Sequence, residues 1–152
     1  MSLITFNTDV VWSGESVRSV ANIGEHKVVI DEPISLGGTN QGPNPVELVL
    51  AGLGGCINVL VSSFARLHGV ELTNSTVHVE GDLDPDGFLK KDSNVRPGFQ
   101  QIRYRIEIDS PSDSAKINEL IDHVERICPV KDTLSGVPVV AIKELVKIHA
   151  DR

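Results

Sequence analysis

An α+β domain with the element order βββ-α-ββ-α-β is the architecture this sequence predicts, and three features predict it. Stretches near the start and in the middle alternate apolar and polar residues with period two. A long stretch between them is apolar at helical spacing, and a second, amphipathic helical stretch follows the later strands. No linker or repeat divides the 152 residues, a length that suits one domain over 1–152 with a core of its own.

Thr5 to Trp12 reads as the first strand, carrying Phe6, Val10, Val11 and Trp12, and Ser13-Gly14-Glu15 turns the chain. Glu15 to Ile23 then sets Val17, Ser19 and Ala21 on one face and Arg18, Val20 and Asn22 on the other. After Gly24-Glu25, His26 to Asp31 completes a β-meander. Leu36 to Pro43 is a loop by composition. The next helix has a well-marked start: Asn44 as N-cap, Pro45 as first helical residue and Glu47 as third form a capping box. Apolar residues recur at Val46, Val49, Leu50, Leu53, Ile57, Leu60, Phe64 and Leu67, and Gly69 is placed to close the helix. Nearly every position from Leu48 to Val61 is apolar or small. A helix apolar on all sides must be surrounded, and in so short a chain a partner subunit is one way to surround it.

Val70 to Asp84 returns to alternation, with His78, Glu80, Asp82 and Asp84 on the wet face. Residues 85–98 read as a polar loop, and Gln100 to Asp109 alternates again with Ile102, Tyr104, Ile106 and Ile108 inward. Ser112 to Ile127 is an amphipathic helix whose stripe is Ile117, Leu120, Ile121, Val124 and Ile127. Cys128-Pro129 stops it, and a short helical turn at Thr133-Leu134 and a strand over Val137 to Ile148 follow.

A formal net charge of −7 with scattered Lys and Arg excludes nucleic acid as a partner, because phosphate binding needs a cationic face. The N-terminus has no basic segment followed by an apolar run. Leu48 to Val61 is too short to cross a bilayer and carries three glycines and an asparagine, so a soluble cytoplasmic chain with no membrane partner is expected. In a reducing compartment two cysteines point to free or redox-active sulfurs sooner than to a structural bridge.

Four residues carry reactive potential: Arg18, Glu47, Cys56 and Cys128. Cys56 ends the run Gly52-Leu53-Gly54-Gly55-Cys56 inside the apolar helix. Each glycine there costs roughly 1 kcal/mol of helix stability, so three in four positions require close approach of a backbone or a ligand. A sulfur in mid-helix gains little from the helix dipole and needs a nearby cation to become a thiolate. Arg18 is a candidate, since its pattern places it on a strand face and it cannot lose its charge. Glu47 lies about 13 Å of helical rise before Cys56, too far to act as its base, but it can orient an arginine through a bidentate ion pair. Cys128 sits at a helix end before proline, expected to be a mobile boundary from which the sulfur can swing; only the fold can bring it to Cys56. As residue types alone, Cys56 would be a small core residue, Arg18 a solvated strand charge and Glu47 a helix cap.

The run Asn44-Pro45-Val46-Glu47-Leu48-Val49-Leu50-Ala51-Gly52-Leu53-Gly54-Gly55-Cys56 resembles the central-helix signature of the OsmC/Ohr superfamily of osmotically induced and organic-hydroperoxide-resistance proteins. Ile127-Cys128-Pro129-Val130 resembles its second-cysteine motif. Val79 to Asp84 and Val95 to Phe99 are also similar to OsmC-type sequence, so the likeness spans essentially the whole chain. The resemblance implies an OsmC-like fold in an intertwined homodimer, two central helices back to back and sheets wrapped outside. It also implies a thiol-dependent peroxidase without metal or organic cofactor. Cys56 would attack the distal oxygen of an organic hydroperoxide, releasing an alcohol and leaving a sulfenic acid. Cys128 would condense with it to a disulfide, which a small dithiol or lipoyl-type reductant would reopen. The thiolate-steadying glutamate and arginine would be Glu47 and Arg18, with Arg96 the alternative cation because loops of one subunit reach the other's site. Val130 stands where the hydroperoxide-resistance branch has an aromatic residue, which sets the chain nearer the broader OsmC-like branch. Two rival readings keep the fold without the chemistry: a non-catalytic dimer binding a small apolar ligand or partner, and a structural dimer with inert buried cysteines.

Other signals lead nowhere. Asp82-Leu83-Asp84-Pro85-Asp86-Gly87 opens like a calcium loop, but its twelfth position is Ser93 where a bidentate glutamate is required. The five histidines show no paired spacing suited to zinc. The glycine run lacks the lysine of a phosphate loop, and no Gly-x-Ser-x-Gly element marks a serine hydrolase.

Overall fold

The computed structural model describes residues 1–136; the strand predicted over 137–148 lies outside the described residues. The chain opens with the predicted meander, β1 (Asp9–Trp12), β2 (Ser19–Ile23) and β3 (His26–Ile30), antiparallel in that order. Its first two strands are shorter than their patterns suggested. Gly14 and Ser16 both take positive φ, and the Arg18 N–H donates to the Glu15 carbonyl at 3.2 Å, so residues 13–18 form a turn. Arg18 therefore sits just before β2, not on its face.

The loop leading to the helix is organised around Asp31, which is only 1% exposed. Its carboxylate accepts the Glu32 N–H (2.8 Å), the Thr39 N–H (3.2 Å), the Thr39 hydroxyl (2.6 Å) and the Gln41 N–H (3.1 Å). Four donors replace the water a buried carboxylate gives up.

α1 (Pro45–Phe64) starts as predicted. The Glu47 N–H donates to Asn44 Oδ1 at 2.8 Å, and the Asn44 N–H donates to Glu47 Oε2 at 2.9 Å. After Phe64 one tighter turn ends at Gly69, with φ +66°. There the Gly69 N–H donates to Arg66 O and the Val70 N–H to Ala65 O, the double closure that a left-handed glycine permits. β4 (Asn74–Asp82) and β5 (Gln101–Asp109) pair antiparallel along their full length, from Asn74 opposite Asp109 to Asp82 opposite Gln101. Between them, the segment read as a polar loop contains a single helical turn, α2 (Asp86–Leu89). Asp84 Oδ1 accepts the Asp86 N–H, and Lys90 pairs with Asp86 four residues before it. Local side-chain bonding of this kind leaves no mark in apolar periodicity. α3 (Ser114–Ile127) follows, and α4 (Pro129–Gly136) begins two residues after its end.

The core lies where α1 and α3 meet the inner face of the β4–β5 sheet. Leu53, Ile57 and Val61 of α1 and Leu120 and Val124 of α3 are buried, with Val77, Val79, Ile102, Tyr104, Ile106 and Ile108 packed against them. Burying such a side chain contributes about 1.5–3 kcal/mol. Gly54 is the glycine that this packing needs: a Cβ there would come 3.1 Å from Val79 Cγ2, so its absence lets α1 settle onto β4. Gly52 and Gly55 face open space.

The other side of α1 is uncovered in the single chain. Val46, Val49 and Val59 are exposed beside Gly52 and Gly55, and none of β1, β2 or β3 packs broadly on the helix among the described residues. At 20 residues, α1 as a whole is long and apolar enough to cross a bilayer by length and composition, although the run Leu48 to Val61 is not. Its packing onto β4, α3 and α4 is instead that of a core helix with one face open.

Leu120→Ala should cost about 2–5 kcal/mol in a denaturant titration, because the side chain is fully buried between two helices and a sheet. Acid should weaken the fold through Asp31. Its hydrogen bond from Thr39, and those from the Gln41, Glu32 and Thr39 amides, hold its carboxyl well below the usual carboxylate range against the opposing effect of burial. On acidification the unfolded chain binds a proton first. The contribution is therefore complete above the unfolded value near pH 4 and is lost as pH falls below it. Asp31→Asn should lower stability at neutral pH and flatten the acid limb of a stability–pH curve; an unchanged limb would count against this account.

Candidate active site

Cys56 lies about three turns into α1 on the side facing α3 and α4, half-buried, while Cys128 is the residue that joins those two helices. The fold brings them together across 72 positions of sequence: Cys56 Sγ and Cys128 Sγ are 3.4 Å apart. A disulfide needs about 2.05 Å, so closing one requires roughly 1.4 Å of sulfur movement. Both sulfurs are free thiols.

Cys128 is not the mobile boundary that its sequence context suggested. It is 2% exposed and belongs to the core cluster with Leu53, Ile57 and Val124. It caps α3 at its C-terminus and stands immediately before Pro129, the first residue of α4. The Asp132 N–H donates to its carbonyl at 3.0 Å, and the Lys131 N–H reaches its sulfur at 3.5 Å. The sulfur thus occupies the position where a Ser or Asp side chain would cap a helix.

Burial pushes the Cys56 thiol above its usual range. The neighbouring Cys128 adds to that rise, while an N–H from Val130 at the start of α4 works against it. Residue type does not mark the Val130 and Lys131 amides as donors to the two sulfurs. The signal was Pro129, which stops one helix but also fits the first position of another, leaving the next two amides free to meet the sulfurs.

Glu47 is exposed and serves the capping box at the start of α1, well away from Cys56 along the helix, as the spacing required. Arg18 belongs to the N-terminal hairpin, where it pairs with Glu15 at 2.5 Å and donates to Thr39 Oγ1 at 3.4 Å. Arg96 lines a groove of about 410 Å³ with Leu53, Phe99, Tyr104, Lys131 and Leu134. A second groove of about 460 Å³ runs between α1 and β4, lined by Glu47, Leu50, Gly54, Gly55, Asn58 and Val79. Within one chain, the two cysteines are brought together and neither Arg18 nor Glu47 joins them.

The fold also makes a pairing that sequence spacing hid. His68, in the turn that follows α1, lies 2.8 Å from His123 of α3 through Nε2 and Nδ1, with Phe64 edge-on to His123. Among the described residues no group of three or more His, Cys, Asp or Glu is arranged to hold a metal ion. The carboxylates of the calcium-like segment are already engaged, Asp82 by Arg103 and Asp86 by Lys90.

An antiparallel sheet laid on a central helix, with two thiols in contact at its inner side, defines a small α+β protein with a dithiol centre. A family model for OsmC-like proteins matches residues 38–143, and the chain belongs to that family. It is similar to the hydroperoxide reductase of Mycoplasma genitalium, 29% identical over 97 residues that make up 64% of this chain and 65% of that protein, just under two thirds of its length. Its fold matches the crystal structure of an OsmC-like protein from Mycoplasma pneumoniae with a TM-score of 0.75 at 23% identity, covering 88% of this chain and 89% of that one. An organic hydroperoxide resistance protein OsmC from Legionella pneumophila matches with a TM-score of 0.61 at 18% identity, over 90% and 93% of the two chains. These likenesses bear out the OsmC/Ohr reading and the α+β architecture.

Mild oxidation with diamide should link Cys56 and Cys128 within one chain, read as a disulfide-joined peptide pair in a non-reduced digest. Disulfides between chains, or none, would contradict the 3.4 Å contact.

Proposed function

We propose that this chain is a thiol-dependent peroxidase that reduces organic hydroperoxides, with Cys56 as the attacking sulfur and Cys128 as the resolving one. The observation that carries the reading is the 3.4 Å separation of the two sulfurs. Cys56 is the more accessible of the pair, which suits it to meet a peroxide. Cys128, held behind it, suits the second step. Cys56 attacks the distal oxygen, the O–O bond breaks and an alcohol leaves; the Cys56 sulfenic acid then loses water as Cys128 closes the disulfide. A small dithiol or lipoyl-type reductant returns both sulfurs to thiols. The name of the Mycoplasma relative supports the substrate class.

Burial opposes the thiolate that this chemistry requires, so a cation must come from elsewhere. A second copy of the chain is the source we favour. The open, glycine-lined side of α1 suits close approach of an identical helix, and the N-terminal segment exposes Phe6, ahead of β1, and Trp12, within it, that such a copy would cover. In that homodimer Arg18, oriented by Glu47, faces the Cys56 of the other chain, with Arg96 the alternative. The apolar groove beside Gly54 also keeps open a binding role without catalysis, which the assay separates.

Cumene hydroperoxide should be consumed in the presence of a dithiol, faster than hydrogen peroxide, and Cys56→Ser should abolish the reaction. If the wild type leaves every peroxide intact, the function passes to the binding reading. Arg18→Met should slow turnover roughly tenfold for each unit by which the thiol rises, with the loss recovering as pH is raised. A loss equal at all pH values would instead mean structural damage. Gly52→Leu should convert a dimer to monomer in sedimentation without loss of helix content. A wild type that sediments as a monomer would remove the partner cation from the scheme.

A further inference from the structure

We propose that the disulfide of this site opens in one direction only: the incoming reductant thiolate attacks Cys56 Sγ, and Cys128 Sγ is the leaving group, received by the first turn of α4. This rests on the resolving role assigned to Cys128 above and goes beyond it by assigning the two sulfurs different parts in regeneration.

Access comes first. Thiol–disulfide exchange needs the nucleophile in line with the bond it breaks, on the far side of the attacked sulfur. The far side of Cys128 from Cys56 is the packed core: Cys128 is 2% exposed and sits with Leu120 and Val124, both at 0%. Cys56 is only half-buried, so the surface of the pair that an incoming thiolate can reach belongs to Cys56.

Charge acts in the same sense. Pro129 leaves Val130 and Lys131 as the first two amide donors of α4. The Val130 N–H acts on the Cys56 thiol, and the Lys131 N–H is the one that reaches Cys128 Sγ, at 3.5 Å. Negative charge developing on Cys128 therefore arrives at the amino end of an eight-residue helix, capped by its own sulfur. The Lys131 ammonium, 5.8 Å from the centre of the Tyr104 ring, adds a full positive charge within electrostatic reach of Cys128.

The step balances. The Cys56–Cys128 bond breaks as a bond forms between Cys56 and one sulfur of the dithiol, and the electron pair goes to Cys128. The second thiol of the reductant then attacks its own bonded sulfur, expelling the Cys56 thiolate and leaving as a cyclic disulfide. Protons released by the two reductant thiols return to the two cysteines, and two electrons pass in all. Lys131 acts through Cys128 and touches no substrate, so it is a positioning residue.

The test begins from the full chain oxidised with diamide, which makes the disulfide without requiring any peroxide activity. Glutathione is added, the mixture is acid-quenched at early times, free thiols are alkylated, and the peptides are mapped by mass spectrometry. Glutathione on Cys56 with an alkylated Cys128 is expected; the adduct on Cys128, or on both equally, would overturn the proposal. Lys131→Gln should slow opening roughly two- to fivefold, with Lys131→Arg restoring most of the rate, while opening at an unchanged rate in the glutamine variant would overturn the electrostatic part. Failure of diamide to join the two cysteines would sink the resolving role itself, and with it this inference, whereas a disulfide opened at Cys128 sinks the direction alone.

Discussion

The burial of α1 is the constraint on which the rest of the molecule depends. A helix apolar on nearly every face has no stable place at the edge of a small domain, and within one chain the other elements cover one side of it. The β4–β5 sheet lies along one side, reached closely only because Gly54 has no side chain, and α3 packs beside it. That packing sets the position of Cys56. It also fixes where α3 ends, and hence where Cys128 stands. The contact between the sulfurs is a consequence of how the helices pack, and needs no strain or special loop to maintain it.

At that junction the chain uses one residue for several purposes. Cys128 ends α3, caps α4 and fills part of the core, and the proline after it costs nothing at the first position of a helix. Two amides of α4 then meet the two sulfurs separately. These donors favour negative charge on sulfur, whereas burial opposes it, and burial prevails at Cys56 within one chain. A peroxidase with this site needs a further positive charge. Among the described residues, the uncovered side of α1 and the N-terminal sheet, which packs broadly on none of the helices, are the natural places for a second copy to supply it. Much of the remaining charge lies on the outer face of the β4–β5 sheet, where Arg103 gathers Glu80 and Asp82. Exposed pairs like these contribute little to stability and leave the dithiol site to its own electrostatics.

Much of this was legible in the residues themselves, because local rules act over a few positions. Asn44, Pro45 and Glu47 named the start of α1, Gly69 its close, and alternation from Val77 to Val79 and from Ile102 to Ile108 the inner face of the sheet. The likeness around Cys56 and Cys128 pointed to the family that the chain belongs to. What local rules do not hold is distance across the fold. The His68–His123 contact, the burial of Cys128 and the 3.4 Å between the sulfurs join residues more than fifty positions apart, and no spacing encodes them. Arg18 shows the same limit from the other side. Its period-two neighbours suggested a strand face, but glycine and serine at positive φ turned the chain first, and the arginine closed on Glu15. The sequence by itself determined which residues are apolar, where helices begin and which sulfurs are present. Only tertiary packing decided which sulfur is reached from solvent and which is held behind it, because exposure belongs to the assembled surface and to no stretch of chain alone.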